Sequence, residues 1–135
     1  MALPSLENTM LSALGMEIVE ASAERVVVKM PVGPKVHQPM GFLHGGASVA
    51  LAETAASIGT ALGIDLAMHA AVGLEINANH LRPKRDGAVF AEALPLHRGK
   101  GTVVWDVRVT DEEGRLVCVS RCTMAVVPLA AKAER

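Results

Sequence analysis

The sequence predicts a two-layer α+β domain, in which one buried helix packs against an antiparallel sheet. Residues 45–63 (GGASVALAETAASIGTALG) are rich in Ala and Leu and nearly free of charge, which suits a helix apolar on almost every side. Four strand-like segments follow it and two shorter ones precede it, each bounded by turn residues. A helix that is apolar all round needs cover all round, and a flat sheet covers one side. Either the sheet curls around the helix or a second subunit closes over the remainder.

Residues 5–13 suit a short helix, with Ser5 as its cap and Glu7 and Asn8 in the first turn. From Met16 to Met30 the pattern alternates through Ile18, Val26, Val28 and Met30, and the polar break from Ser22 to Arg25 divides it into two strands. Pro31, Gly33, Pro34, Pro39 and Gly41 mark an irregular loop. The long helix then closes at Gly63, before Asp65. Strands are expected over 70–82, 87–98, 102–111 and 115–127. Asp86-Gly87, Gly99-Lys100-Gly101 and Asp111-Glu112-Glu113-Gly114 turn the chain between them. Val103, Trp105, Val107 and Val109 alternate with Val104, Asp106, Arg108 and Thr110, so that strand has one wetter face.

A chain of 135 residues fits a single domain spanning 1–135, and half of it is apolar, enough for a core without disulfides or metal. The net charge is −1 and aromatic residues are confined to Phe42, Phe90 and Trp105. Neither a basic surface nor stacking platforms are present, so nucleic acid and anionic membrane surfaces are not expected partners. Glu53 interrupts the longest apolar run, which leaves no membrane span. Met1 to Met16 lacks the basic start and continuous apolar core of a secretory signal. Cys118 and Cys122 fall four apart in one expected strand, hence about 13 Å apart and too far to bridge. The expected location is the cytoplasm.

Glu53 is the sole charged side chain between His44 and Asp65. A lone carboxylate in a buried helix costs several kcal/mol unless it is paired, hydrogen-bonded or protonated, so it asks for a reason. The plain alternative is a half-exposed helix with Glu53 facing water. Ser57 lies one turn further along the same face, placed to hold the carboxylate or a water, or simply to pack. Gly45-Gly46 opens the helix. Bare N–H groups there polarise a carbonyl and stabilise the oxyanion formed when it is attacked, although an ordinary glycine turn gives the same pair. His44 precedes them and Gln38 supplies a further donor upstream.

Gly45 and Glu53 are eight residues apart, about 12 Å of helix rise. Glu53 therefore does not reach a carbonyl held at its own helix N-terminus. If both serve one site, the second half comes from another subunit whose helix runs antiparallel, which predicts a two-fold dimer with two shared sites. The five histidines show no HxxxH or HxH spacing and the cysteines no CxxC pair, so no metal is expected. Arg82, Lys84, Arg85, Arg98 and Lys100 gather near expected strand ends, suited either to the phosphates of an anionic ligand or to a solvated sheet edge.

The run QPMGFLHGGAS from Gln38 to Ser48, followed by Leu51-Ala52-Glu53, resembles the hotdog-fold acyl-CoA thioesterases. The resemblance is to the PaaI-like branch with a helix glutamate, which holds the 4-hydroxybenzoyl-CoA and 1,4-dihydroxy-2-naphthoyl-CoA thioesterases and the proofreading thioesterase of enterobactin synthesis. It continues through VGLEINANH (Val72 to His80) and Arg82, then Pro95-Leu96-His97, then Asp111 to Leu116. The loop Val32 to Val36 and the tail Pro128 to Arg135 depart from it.

The resemblance implies a curved antiparallel sheet wrapped around one long helix, paired as a homodimer and again as a homotetramer. It implies Glu53 as nucleophile or general base, Ser57 as its assistant, and the Gly45 N–H as the oxyanion donor. Gln38 and His44 stand beside Gly45, contributed by the other subunit. His80, Arg82, Arg85 and Arg98 are the candidates for contact with the coenzyme A portion. The expected substrate is an acyl-CoA or acyl-carrier thioester, with an aromatic or β-keto acyl group, and no separate cofactor is needed. Two rivals remain on the same fold. One is a hydratase or dehydratase that sets His44 against Glu53, and the other is a non-catalytic acyl-CoA binding module.

Overall fold

The computed structural model describes residues 3–130. Residues 1, 2 and 131–135, which the one-domain reading of 1–135 includes, lie outside the described part, as does most of the divergent tail. A short helix α1 (Met10–Ala13) leads into strands β1 (Glu17–Ala21) and β2 (Val26–Pro31), then a 3-10 turn at Pro34–Val36. The long helix α2 (Gly45–Leu62) follows, and after it β3 (His69–His80), β4 (Ala88–Arg98), β5 (Thr102–Asp111) and β6 (Leu116–Pro128). The strands form one antiparallel sheet in the order β1-β2-β4-β5-β6-β3.

Helix α2 touches every one of the six strands, which a flat sheet would not allow. The sheet therefore curls around the helix. Leu51, Ala52, Ala55 and Ala56 are fully buried against it, with Val26, Val28 and Met30 of β2 and Val103, Trp105, Val107 and Val109 of β5 beneath them. The alternation read along β5 is the alternation of its burial. Gly59 brings helix and indole into direct contact, since a β-carbon there would run into the Trp105 ring. The indole N–H donates to Thr60 Oγ1 at 2.9 Å, and that hydroxyl donates to the Ala56 carbonyl at 2.9 Å. Both polar groups are thereby satisfied inside the core.

The curl is incomplete. Gly46, Ala50, Glu53, Ser57 and Ala61 recur at helical spacing and stay partly or fully exposed, a stripe that the sheet leaves open. Met10 and Leu11 of the N-terminal segment lie beside part of it. Among the described residues the sheet also has two unpaired edges, β1 and β3; β3 pairs with β6 on one side and carries Val72 and Leu74, both exposed, along its length.

Two local expectations are corrected. The helix expected over 5–13 is regular only from Met10 to Ala13, because Asn8 takes a left-handed φ of 58° that no helix continues through. Thr9 stands at its start in place of Ser5; the Thr9 hydroxyl turns back to the Leu6 carbonyl at 2.5 Å. The loop from Pro31 is less irregular than its prolines suggest. Its 3-10 turn is followed by a bridge between His37 and Leu43 that closes the turn through Gly41, at φ 83°.

Candidate active site on the long helix

The N-terminus of α2 is held by the loop before it. The His44 N–H donates to the Val36 carbonyl (2.7 Å) and the Leu43 N–H to the Lys84 carbonyl (2.7 Å), tying the entry to both neighbouring segments. His44 takes an extended conformation at the cap, and its Nδ1 accepts the Gly46 N–H at 2.8 Å. His44 thus acts as a helix cap, and its ring is exposed. With Gly46 taken, the Gly45 N–H is the open donor of this turn, and no group among the described residues accepts from it. The ring of His80, the last residue of β3, lies against Gly45 so closely that a β-carbon there would come within 2.7 Å of Nε2.

Gln38, Gly45, Ser48, His80 and Arg82 line one hollow of ≈ 340 Å³ at this helix end. The Gln38 carbonyl oxygen accepts the Met40 N–H, which leaves its NH2 group as the donor it can offer. Arg85 stands at the rim with its guanidinium 4.4 Å from the centre of the Phe42 ring. Lys84 is occupied elsewhere, in an ion pair with Glu112 at 2.5 Å.

Glu53 opens into a different hollow of ≈ 400 Å³, shared with Met10, Leu11, Ala50, Thr54, Ser57 and Ile58. The carboxylate is half-buried on the open stripe. Thr54 donates to the Ala50 carbonyl (2.7 Å) and is spent within the helix. Ser57 shares the hollow without a hydrogen bond to Glu53 among the described residues, and it also lines a larger, mainly apolar cavity of ≈ 470 Å³ with Leu3, Leu6, Ile58 and Leu66. Beneath Glu53 lies Gly73 of β3, whose missing side chain leaves room for the carboxylate. The nearby Cys122 thiol is pushed up to about 12, first by burial and then by Glu53 and Glu75. It stays a thiol at neutral pH and packs in the buried core.

The site residues expected from sequence thus fall into two groups on one chain. Gln38, Gly45, His80 and Arg82 come together at the helix N-terminus, while Glu53 and Ser57 come together two turns further on. Arg98 joins neither. Its guanidinium sits over Gly63 at the helix C-terminus, donates to the Ala23 carbonyl at 2.6 Å and lies 5.8 Å from the Trp105 ring. A cation at that end complements the helix dipole. Gly73, Met10 and Leu11 were not expected near the site. A glycine inside an alternating strand is a sign of close approach, so Gly73 had a readable signal; the two hydrophobic residues had none.

The thioesterase superfamily model matches residues 40–118, which include Gly45, Glu53, Ser57, His80 and Arg82 but not Gln38, Met10 or Leu11. The chain belongs to the thioesterase superfamily. It is 53% identical over 113 residues to the 1,4-dihydroxy-2-naphthoyl-CoA hydrolase of Listeria monocytogenes, covering 84% of this chain and 91% of that one. Over 123 residues it is 43% identical to the proofreading thioesterase EntH of Klebsiella pneumoniae, covering 91% and 89%. Among solved structures, a mutant thioesterase from Pseudomonas aeruginosa superposes with a TM-score of 0.89 at 44% identity, covering 92% of this chain and 89% of that one. This thioesterase therefore has the hotdog fold, and its chemistry is hydrolysis of a thioester.

Proposed function

We propose that the enzyme hydrolyses acyl-CoA or acyl-carrier thioesters, with an aromatic or β-keto acyl group, in sites shared between two copies of the chain. The observation that carries this is the separation of Gly45 and Glu53 into two hollows on one helix. Two such helices running antiparallel across a two-fold axis bring the Gly45 end of one copy to the Glu53 of the other. The open stripe of α2 and the apolar outer edge of β3 are the surfaces such a partner would cover.

In this reading the thioester carbonyl oxygen lies on the Gly45 N–H, beside His80 and the Gln38 amide. Glu53 of the partner then either attacks the carbonyl carbon or takes a proton from a water that attacks it. Negative charge moves to the carbonyl oxygen and is stabilised by the helix N-terminus. When the carbonyl re-forms, the C–S bond breaks and the thiolate leaves. In the direct route a water then cleaves the acyl-glutamate. Ser57 steadies the carboxylate or the water. Arg82 and Arg85, exposed at the rim, take the phosphates of the CoA portion. Arg98 enters this reading only from a second copy, where the C-terminal end of one helix approaches the N-terminal end of the other.

The names of the Listeria and Klebsiella relatives support an acyl-thioester substrate and leave its acyl part to be measured. No observation favours the hydratase reading, because the His44 ring caps its own helix and is not set against Glu53. The test is free-thiol release from benzoyl, hydroxybenzoyl, phenylacetyl and C4 to C16 acyl-CoAs, for the natural chain and Glu53→Ala. The reading requires release that disappears in the variant. Binding without release from any substrate would make the protein a binding module.

A further inference from the structure

Strand β3 contains a bulge. Gly73 pairs with Met124 and Glu75 with Thr123, so the partner strand advances one residue while β3 advances two. Leu74 is the extra residue and it is exposed. The bulge changes which face each side chain takes. Residues an odd number apart in a regular strand point to opposite faces, and Gly73 and His80 are seven apart. Both nevertheless face α2, Gly73 beneath Glu53 and His80 against Gly45. Without the inserted residue, one of them would turn to the outer face of the sheet.

At Gly73 the approach is tight. A β-carbon there would lie 2.5 Å from Glu53 Oε2 and 3.4 Å from its carboxyl carbon, with the Met124 sulfur at 4.0 Å. The colliding atoms are the far end of a flexible side chain, so an added methyl would push the carboxylate aside and leave the backbone in place. Bulges commonly re-aim side chains beside active sites. We propose that Gly73 is a positioning residue for Glu53, its bare Cα set by the β3 bulge as the seat of the carboxylate. This rests on Glu53 being the catalytic group.

The test compares Gly73→Ala with the natural chain by steady-state thiol release and thermal unfolding, and repeats the comparison in a Glu53→Asp background. An ångström of misplacement can cost a hundredfold, so kcat should fall about ten- to hundredfold in Gly73→Ala. KM should stay within about twofold, with no drop in Tm. The shorter Asp stops short of the new methyl, so in that background the same change should cost less than about threefold. Unchanged kcat in Gly73→Ala would overturn the proposal, and so would equal losses in the two backgrounds or a fall in Tm that accounts for the loss. A Glu53→Ala enzyme that still releases thiol would remove the reading beneath it, a separate result from any of these.

Discussion

The imidazole of His80 occupies the space that a side chain at Gly45 would fill, with its Nε2 2.7 Å from the position of the missing β-carbon. The contact joins the end of β3 to the first turn of α2. It explains why residue 45 is a glycine, although its φ lies in an ordinary helix and needs no special freedom.

Gly45→Ala should therefore displace the His80 ring, obstruct the open N–H, and leave the core untouched. Loss of one oxyanion donor costs about 10²–10³ in kcat, and a fall of that order is expected in thiol release, with Tm within a few degrees of the natural chain. A variant with full activity would show that the carbonyl is held elsewhere.

The core offers an independent check on the fold. Gly59→Ala forces a methyl into the Trp105 ring, and overpacking of this kind costs about 1–3 kcal/mol. Thr60→Val removes the acceptor of the indole N–H and leaves that donor buried and unsatisfied, at about 1–3 kcal/mol. Urea unfolding of both variants measures these losses. The two should not add fully, since both act on Trp105.

Acid sensitivity should centre on the β5–β6 turn. Burial pushes the Asp111 carboxyl up, but hydrogen bonds from the Arg115 N–H and guanidinium and from the Glu113 N–H outweigh it and hold the group below its ordinary value. A depressed carboxylate contributes stability that is present in full above its unfolded value of about 4 and is lost as pH falls through the folded value. Asp111→Asn should lower Tm at pH 7 and flatten its decline between pH 5 and 2. An equally steep decline in the variant would place the acid-labile group elsewhere.

Much of this was legible in the sequence because period and punctuation carry the information. The helix expected over 45–63 is Gly45–Leu62, and the strand expected over 102–111 is Thr102–Asp111. The pairing of Gln38 with Gly45 was implied by the family resemblance of the QPMGFLHGGAS run, and that of Glu53 with Ser57 by helical spacing; each pair lines one hollow. What was not legible depends on long-range register. Arg82 and Arg98 lie near strand ends, but their strands run such that the two mark opposite ends of α2. The bulge that turns His80 inward is likewise invisible to alternation, because one inserted residue changes the face of everything after it. Asn8 is the local case: its left-handed backbone cuts short a helix that composition alone would extend.

The central claim is that one chain's Gly45 works with another chain's Glu53, and mixing two inactive variants tests it most directly. Glu53→Ala and Gly45→Ala chains are unfolded together, refolded and assayed for thiol release, with mixed oligomers counted by native mass spectrometry. Random two-fold pairing leaves one intact site in each mixed dimer, so about a quarter of the natural activity should return. If mixed dimers form and the mixture stays as inactive as its components, both residues serve within one chain and the shared site is wrong.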